Sequence, residues 1–121
     1  MYAGKKRNRQ PARKETIMAE LLVNTGAVLA NYRRYAGGGQ VIPVLKGNGY
    51  GLGAQQLRGL LAKEGVTLFA CAAVEEALEL AQPDTELLLM SCVHDPTLLR
   101  ALLQRRVILS VESLAQAQAI D

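Results

Sequence analysis

Tryptophan is absent from this 121-residue chain, phenylalanine and histidine occur once each, and there are only two cysteines and four prolines. Each scarcity excludes something. Cys71 and Cys92 are too few for a disulfide framework and suit reduced thiols at strand ends. With His94 as the sole histidine, no Cys/His cluster has the spacing of a metal site. No apolar run reaches the ~18 residues that span a bilayer. Glu15 and Glu20 interrupt what would be the apolar core of a signal peptide. The chain therefore reads as cytoplasmic, with neither a membrane span nor a metal.

Acidic charge is missing from the start of the chain. Lys5, Lys6, Arg7, Arg9, Arg13 and Lys14 all precede the first carboxylate, so the net charge of +3 belongs to the tail. The body keeps eight basic residues against eleven acidic ones and is mildly acidic. A basic tail can serve nucleic acid or anionic membrane, but this one has no aromatic interleaving beyond Tyr2. It reads as a solvated, disordered segment over residues 1–17, with Met18 a candidate start for the body, and no nucleic-acid or membrane partner is expected.

Half of the residues are apolar, enough for one buried core. Strand and helix patterns alternate along residues 18–121. A first helix over Thr25–Tyr35 is capped by Asn24 and ended by Gly37-Gly38-Gly39. Strand Val41–Lys46 follows, with Pro43 in conflict with a central ladder position. Helix Ala54–Glu64 puts Ala54, Leu57, Leu60 and Leu61 on one stripe and stops at Gly65. Strand Leu68–Ala72 leads to helix Val74–Ala81, which begins with the acidic pair Glu75-Glu76 suited to a helix dipole and is broken by Pro83.

Strand Glu86–Met90 leads to a helix capped at Asp95-Pro96, with Leu98, Leu99, Leu102 and Leu103 expected inward. Arg105-Arg106 reads as its solvated C-terminal charge pair. Strand Val107–Val111 precedes a last helix from Ser113 with Leu114, Ala117 and Ile120 inward. Such alternation predicts a parallel α/β sheet built by right-handed crossovers. Four βα units amount to half of an eight-stranded barrel, which needs at least ~200 residues. A small open flavodoxin-like sheet is the other architecture the pattern allows.

One segment carries chemistry. The apolar run Val41–Leu45 ends in Lys46, and glycines at 47, 49, 51 and 53 fill every second position before a helix begins at Ala54. No Gly-Lys-Ser/Thr closes a P-loop, and the glycine spacing does not fit a dinucleotide fingerprint. Ligands of parallel α/β sheets bind at the carboxyl ends of strands, and helix N-termini attract anions. A lysine there can meet a carbonyl carbon while the stripped loop approaches a phosphate. The combination suggests pyridoxal phosphate. The alternative is an ordinary solvated lysine. His94, preceding Asp95-Pro96, reads as a solvated loop residue.

The run Val44-Leu45-Lys46-Gly47-Asn48-Gly49-Tyr50-Gly51-Leu52-Gly53 resembles the cofactor-lysine motif of alanine racemases, commonly V-x-K-A-N/D-A-Y-G-H-G. Asn24–Tyr35, Gly65–Leu78 and Val107–Ile120 resemble further segments of that family in order, so the resemblance covers about residues 20–121. It implies the N-terminal half of a (β/α)8 barrel that binds pyridoxal 5'-phosphate and interconverts L- and D-alanine for cell-wall precursors, in a homodimer. Lys46 would hold the cofactor and act as base on one face. Tyr50 would hydrogen-bond its phosphate, and Val44 would lie beside it. The family's opposite-face tyrosine and its arginines belong to later segments. Glycine at 47 and 49 and leucine at 52 depart from the pattern; the glycines are expected to loosen the loop. Readings held beside this one are a racemase for serine or another small amino acid, a non-catalytic cofactor-binding protein, and a non-catalytic oligomerising fragment.

Overall fold

A computed structural model describes residues 19–121. The expected tail over residues 1–17 and the boundary at Met18 lie outside the described residues. The elements run α1 (Thr25–Ala36), α2 (Lys46–Tyr50), α3 (Ala54–Lys63), β1 (Leu68–Cys71), α4 (Val74–Leu80), β2 (Glu86–Cys92), α5 (Pro96–Gln104), β3 (Ile108–Ser110) and α6 (Leu114–Ile120). The three strands form one parallel sheet in the order β1-β2-β3. No helix of the described residues is long and apolar enough to cross a membrane.

The expected strand over Val41–Lys46 shrinks to a single parallel bridge between Val44 and Ala70. Pro43 supplies the reason. The Ala70 amide donates to the Pro43 carbonyl at 2.9 Å, and the Leu45 amide donates to the Ala70 carbonyl at 2.8 Å. The next rung would need an amide on Pro43, which proline lacks. The chain then leaves the ladder at Lys46. Three strands and this bridge fit a partial barrel, and a fourth full strand is not formed.

Helix ends follow their sequence signals. The Asn24 side chain accepts from the Ala27 amide at 3.0 Å, and Asp95 caps Leu98 at 2.8 Å with Pro96 at the first helical position. The core gathers where α3, α4 and α5 cover the sheet: Leu45, Leu61, Phe69, Cys71, Ala77, Leu87, Leu89 and Leu102 are all buried. Burial declines across the sheet. Phe69, Ala70 and Cys71 of β1 are buried in succession, β2 alternates, and Ile108 of β3 is exposed.

The inward faces expected for the last two helices need correction. Leu102 is fully buried and Leu99 packs beside it, but Leu98 and Leu103 are exposed, because one narrow contact stripe cannot take four leucines around a helix. In α6 Leu114 is 75% exposed, and the buried position belongs to Gln116. Its side chain donates to the Val93 carbonyl at 3.0 Å and accepts from the Glu112 amide at 2.8 Å. Arg58 likewise takes a buried position on α3 and pairs with Asp84 at 2.6 Å. Gln116 is tolerated because it is partnered; Arg58 is partnered through Asp84, while its buried Nε finds no hydrogen-bond partner among the described residues.

These placements make a test. Leu102→Ala should cost about 2–5 kcal/mol of stability, while Leu114→Ala should stay within about 0.5 kcal/mol. Urea midpoints of the two variants decide; equal losses would mean that α6 packs through Leu114 after all.

Candidate functional site

Lys46 leaves the Val44 bridge and enters a turn of unusual hand. Gly47, Asn48, Gly49 and Tyr50 have φ of 62°, 53°, 66° and 55°, which makes α2 one turn of left-handed helix. For Asn48 and Tyr50 this conformation costs roughly 1–2 kcal/mol each. The turn persists because its ends are tied. Gly49 donates to the Leu45 carbonyl at 2.8 Å, Gly51 to Gly47 at 2.9 Å and Gly53 to Asn48 at 2.9 Å. The Asn48 side chain accepts from the Ala54 amide at 3.0 Å and so starts α3.

The expected loosening by Gly47 and Gly49 is corrected here. Both sit at positive φ, where glycine alone escapes the Cβ penalty. Gly49 is also buried, and a Cβ on it would stand 2.8 Å from the Leu57 side chain and 3.2 Å from the Ala54 amide. Glycine therefore fits the turn at both positions. Leu52 finds apolar company in a cleft with Leu21, Val23, Leu57 and Leu60. That is a physical reason for its apolar character.

The turn stands at the carboxyl end of the sheet, beside the point where β1 stops. The link is Glu76 of α4. One of its oxygens accepts from the Gly47 amide at 2.5 Å; the other accepts from Ala72 at 3.2 Å and Ala73 at 3.1 Å. Burial raises the Glu76 carboxyl, but the amides of Ala73, Ala72, Gly47 and Asn48 outweigh it and hold the group below the usual carboxylate range. The sequence assigned the Glu75-Glu76 pair only a helix-dipole role. An acidic residue in the first helical turn was the visible signal; its reach across 29 residues to Gly47 was not.

Lys46 and Tyr50 are both exposed on this rim, with the ammonium 5.8 Å from the phenol ring centroid. Val44 is half-buried beneath them at the bridge. The three residues singled out from sequence thus come together. Nothing lies within 4 Å of where a Cβ would project from Gly47 or Gly51, so a planar group and its phosphate can approach the backbone there.

Other candidates separate from this site. His94 has a partner after all, the Glu112 carboxylate 2.9 Å from its Nε2, but both side chains are exposed. Cys71 is fully buried, and burial, aided by the Glu76 charge, pushes its thiol up to about 11. It is an inert core residue rather than a nucleophile. Among the described residues no group of histidine, cysteine and carboxylate side chains could hold a metal. Arg105 bonds back to the Ala101 carbonyl at the end of α5, as a solvated helix-terminal residue.

The described residues thus form a parallel α/β sheet with a lysine on a glycine-stripped turn at its carboxyl rim. A family model described as alanine racemase, N-terminal domain, matches residues 23–121, and the chain belongs to that family. It is 40% identical over 100 residues to an alanine racemase of Staphylococcus epidermidis and 36% identical over 100 residues to one of Staphylococcus carnosus; each match covers 78% of this chain and 26% of the relative. A catabolic alanine racemase of Mesorhizobium japonicum is 40% identical over 65 residues, covering 51% of this chain and 17% of that protein. The chain spans about a quarter of the length of the first two.

Two outcomes test the turn. Gly47→Ala should cost about 1 kcal/mol from the left-handed backbone alone, and Gly49→Ala a further ~1–3 kcal/mol from overpacking against Leu57 and Ala54; urea unfolding separates them. Because the Glu76 carboxyl is lowered in the folded chain, its contribution to stability is complete above its ordinary value of 4.5 and is lost as pH falls through the lowered value. Acid unfolding of Glu76→Gln should lack that component, and an unchanged acid profile would contradict the assignment.

Proposed function

We propose that this chain is the cofactor-lysine half of an alanine racemase-like barrel, residues 18–121, and that the complete protein interconverts L- and D-alanine. The observation that carries the reading is Lys46, exposed at the carboxyl rim on a left-handed turn with the Tyr50 ring 5.8 Å away. The family and the names of its relatives support alanine over serine as substrate. In complete form we place the protein in the cytoplasm as a homodimer.

The residues present fit pyridoxal 5'-phosphate. Lys46 supplies the one amine of the motif, Tyr50 a phenol within reach of a phosphate, and Gly47 and Gly51 leave the approach open. When bound, the cofactor supplies an electron sink for the carbanion left by loss of the substrate α-proton. Lys46 would hold the cofactor at Nζ, and its amine would carry the proton on one face of the reacting carbon. Tyr50 would donate a hydrogen bond to the phosphate. Val44 lines the floor at the bridge. The rigid turn keeps Lys46 and Tyr50 in register with each other.

Racemisation needs proton delivery to both faces of a planar centre. Lys46 serves one face, and Tyr50 is committed to the phosphate. General acid–base groups contribute about 10²–10⁴-fold each, so the 121-residue chain should bind cofactor without turning over alanine. Lys46→Ala should abolish the borohydride-trapped cofactor adduct, and Tyr50→Phe should weaken binding by about 0.5–1.5 kcal/mol, the net value of one hydrogen bond. Mass mapping of the trapped adduct and a D-alanine assay on the purified chain check these outcomes. An adduct on Lys63, or turnover near that of a full-length relative, would overturn the reading.

A further inference from the structure

We propose that Glu76 is a positioning residue for Lys46: its carboxylate clamps the lysine turn to the end of β1 and thereby sets the direction in which Lys46 leaves the rim. The inference rests on the cofactor-lysine reading of Lys46 and adds to it a residue that acts through the backbone. Glu76 lies on α4, whose start follows β1 by two residues, so its Cα is fixed by the same segment that ends the strand. One oxygen accepts from Gly47, and the other bridges Ala72 and Ala73. The Gly47 amide belongs to the peptide plane that joins it to Lys46. Holding that amide fixes the rotation of the Lys46 carbonyl and the point at which the left-handed turn begins.

Geometry makes the clamp specific to a carboxylate. The amides of Gly47, Ala72 and Ala73 donate to the two oxygens, and the Asn48 amide faces them as well. A glutamine in the same place offers one acceptor oxygen and turns an NH2 group toward a donor. Glu75, its neighbour, is exposed and points elsewhere. The remaining ties of the turn, from Gly49, Gly51, Gly53 and the Asn48 side chain, close the turn on itself and on α3. The Leu45 amide on the Ala70 carbonyl holds the root of the turn to β1, and Glu76 adds a second tie beyond Lys46. With that second tie cut, the turn can pivot about Leu45, so the loss falls on Lys46 placement as well as on stability.

The test uses the full 121-residue chain, with Glu76→Gln, Glu76→Ala and the control Glu75→Gln. Pyridoxal phosphate is added, the adduct is reduced with borohydride, and label is partitioned between Lys46 and the exposed Lys63 of α3. The unaltered chain should favour Lys46. Both Glu76 variants should lose that preference by about tenfold, the scale of a charged hydrogen bond, alongside the stability that the Glu76 carboxylate contributes, and Glu75→Gln should keep it. Amide exchange at Gly47, Ala72 and Ala73, read without cofactor, should quicken in the Glu76 variants only. Should those variants fail to fold, the unaltered chain still decides: its Gly47, Ala72 and Ala73 amide resonances should titrate together with the Glu76 carboxyl carbon. Retained Lys46 preference with unchanged amides, or amides that ignore the carboxyl, overturns the clamp. An unaltered chain that labels Lys46 no better than Lys63 overturns the cofactor reading instead, while the amide data still judge the clamp.

Discussion

Everything at the site depends on one backbone constraint, the left-handed turn that begins where the Val44 bridge ends. A parallel strand continued through Lys46 would send successive side chains to alternate faces and carry the lysine away along the sheet. Reversal into positive φ over residues 47–50 stops the chain at the rim and brings Tyr50 back toward Lys46. L-residues resist that hand, and two of the four positions are not glycine. The conformation therefore exists only where neighbours over-determine it. Asn48 caps α3 from inside the turn, and Glu76 grips it from α4. The placement of Lys46 and the start of α3 are served by the same few atoms.

That arrangement explains why residues distant in sequence share one corner. Glu76 gathers amides from the lysine turn and from the end of β1 into one carboxylate, and the same charge adds to the effect of burial in raising the Cys71 thiol. Gln55 of α3 donates to the Glu79 carbonyl of α4 at 2.7 Å and ties the two helices that flank the corner. The corner is thus cross-linked by polar contacts along its exposed side and by Leu45, Ala54, Phe69 and Ala77 beneath.

Local chemistry was legible in the sequence wherever the signal was local. Asn24, Asp95-Pro96 and the apolar runs at β1 and β2 marked their elements within a residue or two. Pro43 was correctly a conflict, and its missing amide cost the first strand its ladder. What stayed hidden came from partners far along the chain. Arg58 and Gln116 occupy buried positions because Asp84 and Val93 meet them, and nothing near either residue announces that partner. Periodicity alone chose Leu114 over Gln116 for the same reason. The hand of the lysine turn was hidden likewise: alternate glycines permit positive φ, but Glu76 and Asn48 select it.

The gradient of burial across the sheet bears on what kind of half this is. β1 has the bridge on one side, β2 on the other and helices α3 and α4 close by, and its residues are buried in succession. β3 has one neighbour, and Ile108, Val111 and Leu114 stand exposed around its free edge. Such an edge offers unpaired amides and carbonyls beside apolar surface, the combination that a further parallel strand satisfies. In the barrel we propose, that strand would continue the ring from β3. The described residues are therefore packed unevenly: the side of the rim that holds Lys46 is packed and hydrogen-bonded, whereas β3 pairs on one side alone. On the function we propose, the lysine side of the site is the part held firmly within these residues.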